Sequence, residues 1–182
     1  MTGFIGITKP VHVLSGATLT FSNAKVYLDF EGELIVDNGA MLIFDDDIDV
    51  TGWCQGYQNK IIVNGNIDIG SEVNFLGGNE IIEDYRLQIS INNPNISVTF
   101  DNLGITNVII ETFNASNSFM NETTCRNSDL IGHNGNFEMD NTFFWDKSAV
   151  HLVTSNPSNS VIIQNCEFFP ENSNNALTIE NY

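Results

Sequence analysis

The stretches VHVLSGATLTF (residues 11–21) and LIVDNGAMLIF (residues 34–44) lie 23 positions apart and match almost phrase for phrase. Each opens on a short apolar triplet, passes a polar residue and a Gly-Ala pair, and closes on four residues that alternate. Leu19 and Phe21 share one parity, as do Leu42 and Phe44. Alternation with period two is the mark of a half-buried strand. A sandwich of hairpins also supplies short alternating strands, but gives no reason for one phrase to return at a fixed interval. A solenoid does: equivalent residues of successive coils stack about 4.8 Å apart, and each coil buries its inward face against its neighbours.

The pattern extends outward from this pair. Alternation continues through Val26, Leu28 and Phe30, then Ile61 and Val63, Ile67 and Ile69, Ile96, Val98 and Phe100, and on to Leu177 and Ile179. Asn, Gly, Asp and Ser, which tolerate tight turns, fill the gaps. The triplets ending at Val13, Val36, Val63 and Ile89 read as one repeated element. In the second half, phrases ending at Asn102, Thr123, Asn141 and Asn165 recur at a similar spacing. These four positions predict an inward polar ladder, with Thr123 standing in for Asn. Gly-Ala phrases and aliphatic strands dominate to about residue 80, and Asn, Thr and Phe after about 95. The expectation is an all-β chain forming one right-handed parallel β-helix (β-solenoid), a single domain over residues 1–182 with roughly seven coils, whose style changes near 80–95.

Composition narrows the partners. The 182 residues hold 23 Asp+Glu against 6 Lys+Arg, for a net charge of -17, together with 26 Asn and 13 Phe. Phosphate backbones and anionic membranes repel such a surface, so nucleic acid is not an expected partner. No stretch approaches the roughly 18 apolar residues of a membrane span. Three Cys, at 54, 125 and 166, have neither metal-ligand spacing nor a CxxC pair, and read as small buried hydrophobes. The start, MTGFIGITKP, lacks the basic and long apolar regions of a signal peptide. The chain reads as a region of a longer, secreted or cell-surface protein.

Residues 11–66, with the two phrases above followed by Asp-rich text, TGWC and NKIIVNGN, resemble parallel β-helix regions of secreted Bacteroidota surface proteins, commonly exported by the type IX system. The resemblance implies a β-helix and an extracellular setting, without a particular activity. One departure is that no C-terminal sorting domain is present in this sequence.

Several residue groups are candidates for chemistry. Asp45, Asp46, Asp47 and Asp49 lie within five positions and offer the oxygen ligands that calcium prefers, although the EF-hand spacing is missing. The alternative is a solvated acidic turn, and no other cofactor is expected. Asp101, Glu122 and Asp140 line up as an outward acidic strip, with Arg126 near them in that register. Polysaccharide hydrolysis uses paired carboxylates, and lyase chemistry an Arg base, so these four are the catalytic candidates. The chain has few Arg, notably Arg86 and Arg126. Trp53, Tyr57 and Trp145 sit in loop-like text and are candidates for stacking on sugar rings. The three His, at 12, 133 and 151, are dispersed.

These readings give a non-enzymatic extracellular module, a rigid scaffold or adhesin-like unit whose partners are glycans or other surface proteins. A pectinase- or lyase-like β-helix enzyme is one alternative and a phage tailspike-like fibre another.

Overall fold

A computed structural model describes residues 3–52, 58–78, 86–170 and 176–182. Every strand pairing among them is parallel, and no helix occurs among the described residues. The first coil shows the plan. Strand Gly3–Ile7 lies on a first face, Pro10–Val13 on a second and Thr18–Phe21 on a third. The next coil returns with Ala24–Leu28, Glu33–Val36 and Met41–Phe44, each beside its predecessor. The first two faces are eight-stranded sheets; the third is divided into a three-stranded and a four-stranded sheet. The result is a parallel β-solenoid of about seven turns.

The repeated phrase is a stacked turn. Ala17 N–H donates to Leu14 O at 2.9 Å and Ala40 N–H to Asp37 O at 3.0 Å, closing two four-residue turns. Gly16 and Gly39 occupy the third position of each, at φ 81° and 78°. This is the type II pattern, which demands a residue that tolerates positive φ. The two turns are then tied coil to coil, because Gly16 N–H donates to Gly39 O at 2.9 Å. The turns launch the third face in register, with Leu19 against Leu42 and Phe21 against Phe44. The two Phe rings stack at 5.4 Å, and Phe75 meets Phe44 edge-on at 5.6 Å. Inward positions form one continuous core from Ile7 to Leu152.

Two registers differ from the sequence reading. Val63 pairs with Ile91 rather than Ile89, and Ile89 with Ile61. A shift of two keeps every side chain on its own face, so alternation cannot detect it. The predicted inward ladder is also corrected. Asn102, Asn141 and Asn165 are exposed, with φ of 53°, 47° and 52°. Their column is completed by Asn23, Asp47, Glu72 and Glu122, also at positive φ. They form the left-handed corner between third and first faces, a conformation Asn adopts more readily than most residues. Thr123 belongs one position later, facing inward with Leu103 and Thr142. Its hydroxyl donates towards Asn121 O at 2.9 Å. Asparagine ladders do exist at other corners: Asn127 Nδ2 donates to the buried Asn107 Oδ1 at 2.7 Å, and Asn134 Nδ2 to the exposed Asn114 Oδ1 at 2.9 Å.

Candidate functional site

The acidic candidates separate when the coils stack. Asp101 and Asp140 share a row on the third face, with Asn121 between them. Asn121 Nδ2 donates to Asp101 Oδ1 at 2.7 Å. Asp140 accepts from Asn165 Nδ2 at 2.8 Å and Gln164 Nε2 at 3.3 Å. Amide donors placed by the ladder thus occupy both carboxylates. Glu122 lies one residue out of this row, at the exposed corner opposite Asn102 and Asn141. Arg126 is on the first face, at the far end of strand Thr124–Arg126, paired with Thr106 and Trp145. The four residues therefore occupy a third-face row, a corner and a first-face row. Arg86 donates from Nη1 to Asp129 Oδ2 at 2.7 Å, on another face.

Asp45, Asp46 and Asp47 line a shallow groove of about 490 Å³ together with Ser22, Asn23, Asp68 and Gly70. Asp46 Oδ1 accepts from Ser71 N–H at 2.8 Å and Ser71 Oγ at 3.3 Å. Asp47 holds the left-handed corner at φ 60°. Asp49 belongs to the first face, where Lys25 Nζ donates to Oδ2 at 2.6 Å and Asn74 Nδ2 to Oδ1 at 3.0 Å. The Lys25 ammonium holds the Asp49 carboxyl below its usual range, burial opposing it. The same hydrogen bond raises the Lys25 pKa. Among the described residues, no group of three His, Cys, Asp or Glu side chains is placed to hold a metal ion.

The aromatic candidates fare differently. Trp53 and Tyr57 lie outside the described residues. Trp145 points outward from strand Phe143–Asp146 and is 36% exposed. Directly beside it, Phe169 is 40% exposed, and the two rings stack at 4.1 Å with 13° between planes. Behind this pair, the half-buried Phe168 stacks on the core residue Phe144 at 4.8 Å and 5°. Parallel register causes both stacks, since Phe144 faces Phe168 and Trp145 faces Phe169 along one ladder. Arg126 precedes Trp145 in the outward row, and Phe143 sits two residues before it on the same strand. The first face thus presents Arg126, Trp145 and Phe169 in line. Phe169 is the member the sequence reading missed. The signal was available, because the 24-residue step from Asn141 to Asn165 also carries TFFWD onto CEFFP.

His12 faces Asp37 at 3.6 Å, and His151 faces Glu180 at 3.5 Å. His133 lies flat on Phe113, with ring centroids 4.6 Å apart. Cys125 is buried as a free thiol, as its composition-based reading requires, and burial pushes its pKa up to about 12. Cys166 is a half-buried free thiol, and Cys54 lies outside the described residues. No protein-family model, curated protein or solved structure matches the chain.

Proposed function

We propose that the chain is a rigid scaffold module of a secreted or cell-surface protein, and that it offers the outward Arg126–Trp145–Phe169 row to a neutral glycan. The observation that carries this reading is the solvent-facing Trp145–Phe169 stack on an eight-stranded sheet. Aromatic groups exposed together on a rigid face mark interaction sites more often than scattered ones do. The ladder holds both rings in place before any ligand arrives, which lowers the ordering cost of binding. A net charge of -17 favours an uncharged or cationic partner over a polyanion. The extracellular setting and an origin in the Bacteroidota surface proteins rest on the phrases of residues 11–66.

A glycan array read with and without calcium tests the proposal, with Trp145→Ala alongside the native chain. Binding by the native chain and its loss in a folded Trp145→Ala variant is the expected result. Uniform non-binding overturns the glycan assignment, and turnover of any polysaccharide overturns the scaffold assignment.

A further inference from the structure

The sequence contains three Asn-Gly pairs, Asn38-Gly39, Asn64-Gly65 and Asn134-Gly135. Chemically they are alike. In each, the glycine backbone nitrogen can attack the asparagine Cγ, forming a C–N bond and expelling ammonia to leave a succinimide. Water then opens that ring to aspartate or isoaspartate. The reaction consumes only water and needs no enzyme. It does require the asparagine side chain to turn freely towards the next peptide nitrogen.

The fold treats the three differently. Asn134 is locked from both ends. Its Nδ2 donates to Asn114 Oδ1 at 2.9 Å, while its Oδ1 accepts from Ser155 N–H at 2.8 Å and Ser155 Oγ at 3.0 Å. Asn64 is held once, its Oδ1 accepting from Asn92 Nδ2 at 3.0 Å. Asn38 is exposed at the second position of the Asp37–Ala40 turn, and its side chain makes no hydrogen bond among the described residues. Gly39 engages its neighbouring coil through its carbonyl oxygen, and among the described residues its N–H donates no hydrogen bond. Coil stacking therefore protects two of the pairs and leaves the third open.

We propose that Asn38 is the chain's site of spontaneous succinimide-mediated deamidation. The change has a structural reading as well as a chemical one. It adds a carboxylate beside Asp37, which faces His12. Its isoaspartyl form adds a methylene to the turn that ties Gly16 to Gly39. The second coil is thus the part of the solenoid that ages first.

Incubation of the folded protein at mildly alkaline pH, followed by peptide mapping for the amide-to-acid mass gain and for isoaspartate, tests this. Each holding hydrogen bond slows conversion by roughly five- to tenfold. Asn38 is therefore expected to convert first, Asn64 more slowly and Asn134 slowest. In urea the three rates are expected to converge. Ser155→Ala, which removes one of the bonds on Asn134, is expected to speed conversion there and leave Asn38 unchanged. Equal rates in the folded chain overturn the proposal. So does an intact Asn38 after a period in which the urea-unfolded chain has converted it.

Discussion

Thr112 and Thr123 are both completely buried, and replacing each by Val is expected to move stability in opposite directions. Thr112 faces the core between Ile91 and Gly132 on the second face, and its hydroxyl has no hydrogen-bond partner among the described residues. Thr123 faces the core at the corner of the third face. Its hydroxyl lies 2.9 Å from Asn121 O and 3.1 Å from Phe100 O, and Leu103 N–H reaches it at 3.4 Å. Val matches Thr in shape, so both substitutions leave packing nearly unchanged and isolate the hydroxyl. An unsatisfied buried hydroxyl costs about 1–3 kcal/mol, so Thr112→Val is expected to stabilise by that order. Thr123→Val removes satisfied bonds and is expected to destabilise by about 1–2 kcal/mol. For a chain of this size, each kcal/mol shifts Tm by roughly 2–4 °C, so the two variants separate by several degrees. Thermal melts followed by circular dichroism, with urea titrations to check cooperativity, read the difference. A destabilised Thr112→Val would refute the reasoning, since it would mean that the hydroxyl is satisfied.

Gly132 and Gly6 make a second matched pair. A Cβ at Gly132 would lie 2.2 Å from the Phe137 ring and 2.8 Å from Leu152, whereas one at Gly6 meets nothing within 4 Å. Gly132→Ala is expected to cost about 1–3 kcal/mol and Gly6→Ala to be neutral or slightly stabilising, measured by the same melts. The Lys25–Asp49 pair gives a pH signature. The depressed Asp49 pKa contributes stability above the ordinary carboxylate range of about 3.9, lost as pH falls through the folded value. The raised Lys25 pKa contributes stability below about 10.4, lost as pH rises through the folded value. Lys25→Met is expected to flatten both edges of the Tm-versus-pH curve. Cys125, with its thiol pushed up to about 12, is expected to ignore thiol reagents at pH 8 until the chain unfolds, as followed by labelling in a urea series.

The parity of almost every core residue was legible in the sequence. Leu19, Phe21, Leu42 and Phe44 alternate because a strand sends successive side chains to opposite faces, a local property of the chain. The Gly-Ala turns were legible for the same reason, since positive φ at the third turn position selects glycine wherever it occurs. Register was not local. Shifting Ile89 to Ile91 leaves the face unchanged, and moving Thr123 by one depends on recognising Glu122 as the left-handed corner in place of Asn. That one-residue difference takes Glu122 out of the row of Asp101 and Asp140, and separate faces remove Arg126, so the catalytic strip dissolves on stacking.

The solenoid, its inward faces and the chemistry available outside are written in the order of the residues, because these follow from backbone geometry within one coil. Which outward groups meet is settled by the stacking of coils. Stacking placed Phe169 on Trp145, set amide donors against Asp101 and Asp140, and locked Asn134. Each of these is a contact between residues some 20 to 25 positions apart, fixed by the interstrand hydrogen bonds of neighbouring coils rather than by anything local to the chain.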